Sequence, residues 1–234
     1  MSAAGTVTQL HRWPVKSMGG EPVAELAIDR RGGAGDRAHA VFDVHKGAPR
    51  RLTAREAPRL LAWHAVYPGG AGDPPDPVLA APNGTRWEWS DPGLAAALSR
   101  DLGREVTLHS DPALQQDLPD SLLITVQSTL DAVAAELETD LDLRRFRTNL
   151  HVELDADAFA EEGWEGRRLR VGDASLELLH PCERCAIPTR DPDTQEKWPQ
   201  LLRHLAARHS NRFGINARPL GTATIRVGDV VELA

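Results

Sequence analysis

The chain has 234 residues, of which 41% are hydrophobic and 26% are charged, and this composition is that of an ordinary globular protein. It excludes collagen, coiled coils and wholesale disorder, and the length fits one large domain or two compact ones. The net charge of −7 argues against sequence-independent binding of nucleic acid, and no apolar run approaches the ~18 residues that span a bilayer. Because the first residues show no secretion signal, we expect a cytoplasmic protein with neither a nucleic-acid nor a membrane partner.

The first half of the chain is predicted to form short strands that are separated by turns. Alternating apolar and polar residues predict strands at 6–15, 21–29, 37–44, 60–66, 86–89 and 105–109. A helix is predicted to begin at Asp91, as the N-cap, with Pro92 in its first turn, and to end at Gly103.

The second half begins after a polar, Pro-containing stretch at 111–120, where we place the domain junction. Strands are predicted at 122–126, 149–154, 168–171, 175–180, 223–227 and 230–233. One helix is predicted to be capped by Ser128, and another spans 198–209. The predicted fold is mainly β (α+β), with two β-barrel-like units, 1–115 and 116–234, and a few peripheral helices.

The chain has only two cysteines, Cys182 and Cys185, which excludes a disulfide framework spread along the chain. They could be small buried hydrophobic residues, a redox dithiol, zinc ligands, or a pair in which one thiolate acts as a metal ligand or nucleophile. Pro188 and Pro192 disfavour the helix that a redox dithiol needs, whereas Arg184 would favour a thiolate. The spacing alone leaves these alternatives open.

The zinc alternative combines both cysteines with histidines further along the chain. The candidate ligands are His180, Cys182, Cys185, His204 and His209. The 18 residues between Cys185 and His204 exceed the roughly 12 of a zinc finger, so this set fits less well.

Basic residues stand next to turns at three places in this acidic chain. Lys16 precedes Ser17 in a Gly-rich turn, Arg37 follows Gly35-Asp36, and Arg147 lies in a short basic run. Each of them taken singly is typical of a solvated surface charge. Together they favour a small anionic ligand over a polymer.

The segment CERCAIPTRDPDT at 182–194 resembles the signature of MOSC domains, the molybdenum cofactor sulfurase C-terminal type. The similar subgroup contains the amidoxime-reducing components and their bacterial relatives. WPVKS at 13–17, GDR at 35–37 and FRTNL at 146–150 also resemble this family, whose N-terminal domain is a β-barrel. The resemblance runs in order over nearly the whole chain.

The resemblance implies a bound molybdenum cofactor, molybdopterin with Mo, whose metal is held by Cys185. An acidic residue near the metal corresponds to Asp117, so Cys185 and Asp117 are the implied catalytic residues. The positions that hold the pterin and its phosphate correspond to Lys16, Ser17, Arg37, Arg147 and Asn149. Glu183 departs from the family pattern, and its charge would repel an anionic cofactor if it pointed inward.

The implied activity is the reduction of small N-oxygenated compounds, namely amidoximes, hydroxylamines and N-oxides. Because the sequence has no further cysteines for an iron–sulfur site, we expect the electrons to come from a separate donor protein. One alternative is a sulfur-carrier protein with a persulfide on Cys185. Another is a zinc-stabilised ligand-binding module.

Overall fold

The structure is a computed structural model that describes residues 4–69, 76–111 and 122–234. The described residues form three α-helices, α1 (Leu94–Leu102), α2 (Gln127–Glu136) and α3 (Pro199–Arg208). The strands, in chain order, are β1 (Ala4–Arg12), β2 (Glu21–Val23), β3 (Glu25–Asp29), β4 (Gly32–Gly33), β5 (His39–His45), β6 (Ala48–Arg51), β7 (His64–Val66), β8 (Val78–Ala80), β9 (Arg86–Glu88), β10 (Thr107–Ser110), β11 (Leu122–Val126), β12 (Leu150–Leu154), β13 (Arg168–Val171), β14 (Ala174–Glu183), β15 (Arg212–Pro219), β16 (Ala223–Arg226) and β17 (Val230–Leu233). Among these residues, no helix is long and apolar enough to cross a membrane.

Seven strands close into a barrel in the order β12-β11-β15-β14-β13-β17-β1, and β1 pairs back with β12. All pairs in it are antiparallel except β11 with β12. Inward-facing side chains such as Val7, Leu150 and Leu176 form its core. A closed barrel leaves no unpaired sheet edge, so the backbone groups of these strands are satisfied internally.

The barrel closes where β1 passes very near β12. A Cβ atom built on Gly5 would lie 1.8 Å from the carbonyl oxygen of Glu153, so this position requires glycine. Gly5 pairs with Leu154, and the pairing continues to Leu10 opposite Leu150. The N-terminal strand is therefore an integral part of the barrel that the C-terminal half builds.

A second core lies among strands and a helix of the N-terminal half. The sheets β10-β5-β6 and β7-β8-β9 surround it together with α1, which contributes Leu94 and Leu98. The third small sheet, β16-β3-β4, joins the two halves of the chain. Strand pairing thus crosses the predicted junction between 1–115 and 116–234, and that boundary stays a prediction.

Helices α2 and α3 pack over a third apolar core, outside the barrel. Leu130 and Val133 of α2 meet Leu201 and Leu205 of α3 above Phe213. This packing fixes the end of α2 relative to α3.

The prediction of a mainly β fold with barrel structure and few helices is confirmed. The strands predicted at 122–126, 168–171 and 230–233 have those bounds in the structure. The strand predicted at 60–66 is wrong in its first part, since Pro58–Ala62 is a 3-10 helix. The prediction that Ser128 caps the helix is wrong, because the N-cap residue of α2 is Val126.

Candidate functional site

The residues predicted to bind the cofactor surround one cavity of about 380 Å³. It lies where loops of the N-terminal half meet one end of the barrel, and we call it the basic cavity. All six residues predicted to hold the cofactor or its metal line it: Lys16, Ser17, Arg37, Arg147, Asn149 and Cys185. The seventh predicted site residue, Asp117, lies outside the described residues.

The basic cavity carries a strong excess of positive charge in an acidic protein. Its cationic lining residues are Lys16, Arg37, Arg51, Arg55, Arg147 and Arg184. Glu183 is the one carboxylate among the described lining residues, and it is exposed. Because several guanidinium groups face one cavity, this arrangement favours a ligand with multiple negative charges, such as a phosphate group.

Arg37 connects the two halves of the chain at the floor of the cavity. Its guanidinium forms a buried ion pair with Asp36 and donates to the carbonyl oxygen of Arg147 at 3.2 Å. The carboxylate of Asp36 also accepts from the backbone N–H of Trp13 at 2.8 Å. The ion pair therefore orders the loop that follows β1 as well as the cavity.

The Arg37–Asp36 pair gives a test of this structural role. We expect Arg37→Met to lower the free energy of unfolding by about 3 kcal/mol or more, because it leaves the Asp36 charge buried and uncompensated. The matched control is Arg31→Met, which removes the ion pair with the partly exposed Asp29 and should change stability by less than about 1 kcal/mol. Urea denaturation of both variants measures the difference. Equal losses in the two variants would contradict the prediction.

Arg147 is held against an aromatic ring. Its guanidinium carbon lies 4.4 Å from the centroid of the Trp13 ring, and it donates to the carbonyl oxygen of Met18. The indole N–H of Trp13 in turn donates to the carbonyl oxygen of Thr148 at 2.8 Å. The cation is thereby oriented before any ligand arrives.

Three lining residues adopt left-handed backbone conformations. Ser17 has φ of 68°, Arg37 of 52° and Arg147 of 56°. Each such conformation costs about 1–2 kcal/mol for a residue that is not glycine. Strained backbone of this kind concentrates at ligand-binding sites, where the surrounding structure enforces it.

Asn149 and Ser17 already use their polar atoms to organise the cavity wall. Asn149 accepts from the backbone N–H of Leu123 at 3.1 Å and donates to the carbonyl oxygen of His11 at 3.3 Å. The hydroxyl of Ser17 accepts from the backbone N–H of Ala54 at 3.0 Å. Their contacts indicate positioning roles within the wall.

The four residues 182–185, which we call the cysteine loop, begin within the last two residues of β14 and are held in place through Arg184. The backbone N–H of Arg184 donates to the carbonyl oxygen of Asn211 at 2.8 Å, and the Asn211 amide donates back to the Arg184 carbonyl at 2.7 Å. The Arg184 guanidinium donates to the sulfur of Cys182 at 3.0 Å and to the carbonyl oxygen of Phe146 at 2.7 Å. These bonds fix the loop so that the half-buried thiol of Cys185 faces the cavity.

Sequence reasoning gave no role in ligand binding to Arg51 or Arg55, and it treated Arg184 only as a neighbour of the thiols. Arg51 ends β6 and Arg55 lies in the loop that follows, so neither belongs to a periodic pattern.

Two further cavities adjoin the basic cavity. One of about 110 Å³ shares Arg147 and Ile187 with it, and also contains His11 and His64. Burial lowers the pKa of both histidines, so their imidazoles are neutral at pH 7. The other is a groove of about 580 Å³ that shares Arg55 and Ile187.

Comparison with known protein families shows to which family this chain belongs. Residues 116–232 match the family model described as MOSC domain, and residues 4–80 match the one described as MOSC N-terminal beta barrel domain. The chain belongs to the MOSC family. Within this family it is similar to a human protein named mitochondrial amidoxime reducing component 2, at 27% identity over 83% of this chain and 69% of that protein. It is also similar to human mitochondrial amidoxime-reducing component 1, at 26% identity over 100% of this chain and 84% of that protein.

The barrel also has a counterpart among solved structures. The YuaD protein from Bacillus subtilis aligns over 100% of this MOSC chain and 97% of its own, with a TM-score of 0.51 and 14% sequence identity. At that identity the similarity supports the fold alone.

The five candidate zinc ligands predicted from the sequence do not form a single cluster among the described residues. Across the three described stretches, His204 and His209 lie together with Glu136, and neither cysteine belongs to that group. Cys182 and Cys185 instead lie at the basic cavity of the MOSC fold.

Proposed function

We propose that this MOSC protein binds the molybdenum cofactor in the basic cavity and reduces N-oxygenated compounds. The observation that carries the proposal is that the Cys185 thiol shares one cavity with six cationic side chains. The relatives named as amidoxime-reducing components support the choice of substrate class.

The chemistry of the lining residues fits this cofactor. A thiolate is a soft ligand that suits a metal already held by sulfur donors. Guanidinium groups match the geometry of a phosphate, and Arg37 and Arg147 are pre-oriented by buried contacts. The Nε of Arg184 is buried and has no hydrogen-bond partner among the described residues, so it leaves a donor unused beside the cavity.

We assign the roles of the residues from these contacts. Cys185 would ligate the metal, while Lys16, Arg37 and Arg147 would neutralise the phosphate and pterin. Asn149 would hold the wall in place. When bound, the cofactor would supply two-electron oxygen-atom chemistry, with electrons from a separate donor protein.

The groove beside Ile187 provides a route for the substrate. Its apolar floor includes Leu61, Ile187 and Leu202, and Arg55 and Arg190 stand among its lining residues. An aromatic or aliphatic body could pack on this floor while a polar N–O group points toward the cysteine loop. Ala186, the residue after Cys185, is one of the residues that line the groove.

Metal analysis and a reductase assay test the proposal. Protein purified from a host that makes the cofactor should contain about one molybdenum atom per chain, as a single thiolate ligand implies. With a chemical electron donor, this preparation should reduce benzamidoxime. Molybdenum-loaded protein that reduces neither benzamidoxime nor hydroxylamine would refute the reductase activity, and protein that never acquires molybdenum would refute the cofactor.

A further inference from the structure

Three metal-ligating side chains converge on the surface, away from the basic cavity. The Nε2 atom of His204 lies 2.5 Å from Oε2 of Glu136, and Nε2 of His209 lies 2.7 Å from the same oxygen. Within the described parts of the chain, this is the one group of three or more histidine, cysteine or acidic side chains whose ligand atoms all lie within 4.8 Å of one another.

The backbone positions of the three residues are fixed by apolar packing. Glu136 is the last residue of α2, His204 lies in α3, and His209 follows the end of α3. Both helices are packed against the shared core that contains Phe213, so the meeting of the three side chains does not depend on a flexible loop.

The ring of His209 is also oriented by a neighbour. It stacks on Phe159 with a centroid distance of 3.9 Å and an interplanar angle of 10°. This stacking directs Nε2 of His209 toward Glu136. A ligand whose orientation is already fixed loses little entropy when it binds a metal.

We propose that Glu136, His204 and His209 form a zinc-binding site. Two imidazole nitrogens and one carboxylate oxygen form a donor set that Zn²⁺ uses with water as the fourth ligand. Ligand atoms around tetrahedral zinc lie about 3.3 Å apart, so a small rotation of the side chains makes room for the ion. The side chains are 12–31% exposed, which leaves a path from solvent.

An ion pair with Glu136 does not require two histidines. A single imidazole would suffice to pair with Glu136, yet both Nε2 atoms face the same oxygen. In the zinc-bound form both imidazoles are neutral with the proton on Nδ1, and the carboxylate is ionised. The ion would tie α2 to α3, so its expected effect is on stability.

A zinc titration of the chelator-treated protein tests the site. Wild-type protein should bind one zinc ion by calorimetry, and its melting temperature should rise when zinc is added. Glu136→Gln and His204→Gln should each weaken zinc binding by at least about 10-fold and should remove the rise in melting temperature. The melting temperatures of the variants without zinc show whether each variant is folded.

Two controls separate this site from other zinc ligands. His45→Gln removes an exposed histidine of β5 and should leave zinc binding unchanged. The double variant Cys182→Ser with Cys185→Ser should also keep its zinc. The proposal is overturned if the wild type shows neither heat nor stabilisation at about 100 µM zinc, a concentration at which a site of micromolar affinity is saturated. It is equally overturned if zinc binding survives His204→Gln or is lost only in the cysteine variant.

Discussion

Replacing Cys185 by alanine is expected to reduce the molybdenum content of the protein to background and to abolish benzamidoxime reduction. Cys182→Ala is the matched control, because both thiols are half-buried and line the same cavity. We expect the Cys182 variant to keep most of its molybdenum. Elemental analysis of the two variants, purified in parallel, measures the contrast.

The contrast rests on what surrounds each sulfur. The sulfur of Cys182 accepts a hydrogen bond from the Arg184 guanidinium at 3.0 Å, and that same guanidinium donates to the carbonyl oxygen of Phe146. Removing the Cys182 sulfur therefore costs one hydrogen bond, worth about 1.5–3 kcal/mol when one partner is charged. Removing the Cys185 sulfur deletes the ligand itself, and alanine offers the metal no donor atom.

Three results would contradict the assignment. Equal molybdenum in the Cys185 variant and the wild type would exclude Cys185 as the required ligand, and a loss confined to the Cys182 variant would exchange the two roles. A cyanide-labile sulfur on Cys185 in protein without molybdenum would favour the persulfide alternative. The melting temperature of each variant shows whether a loss of metal reflects unfolding.

The sequence predicted best those elements whose burial pattern is simple. The strand β11 is a continuous buried run, and α3 buries Leu201 and Leu205 at helical spacing. The sequence analysis missed β4, which has only two residues, and β15, which is buried from Phe213 to Ala217. It also missed β6, which is exposed or half-buried throughout, and β8, which has only three residues. Neither has enough apolar alternation to stand out from a loop.

Capping was harder to predict than the helix itself. Ser128 carries the side-chain type of an N-cap, but α2 begins earlier, at Gln127, directly after β11. The strand thus runs into the helix without the turn that a serine cap would occupy. Tertiary packing of β11 in the barrel set that boundary against local preference.

Lys16, Arg37 and Arg147 stood out in the sequence as basic residues beside turns, but only the family resemblance predicted that they share one site with Cys185. Lys16 and Cys185 stand far apart in the chain, and their meeting depends on β1 closing the barrel. The spacing of the strands predicted barrel-like units, but it did not predict which strands pair to close the barrel. The strained backbone at Ser17 and Arg37 is likewise a property of the folded cavity that no local pattern encodes.

Stability is expected to fall steeply as the pH decreases from 6.5 toward 4, because two histidines are buried in their neutral form. Burial lowers the pKa of His39 and of His151 to about 4, from an ordinary value of 6.5. The His39 ring packs against Trp89 at 4.7 Å. His151 is enclosed between Thr125 and Gln127, at 2.8 Å and 2.9 Å from its two ring nitrogens.

The direction in which the free energy of unfolding changes with pH follows from proton binding. Between pH 6.5 and 4 the unfolded chain protonates both imidazoles while the folded protein does not, so protons stabilise the unfolded state. The contribution of the two neutral imidazoles to the stability of the folded protein is fully present above pH 6.5. It is lost as the pH falls toward 4. Between pH 7.5 and 5 each histidine should reduce the free energy of unfolding by about 2 kcal/mol.

Urea denaturation at pH 7.5 and at pH 5 measures this loss. His151→Gln should make the difference between the two pH values smaller by about 2 kcal/mol, whatever the variant costs at neutral pH. His45→Gln replaces an exposed histidine and should leave the difference as in the wild type. If His151→Gln loses as much stability between the two pH values as the wild type, proton uptake by His151 is not the cause. Each protein is compared with itself at the two pH values, so a packing defect that does not depend on pH cancels. The difference between His151→Gln and the wild type then reports proton uptake by the buried imidazole.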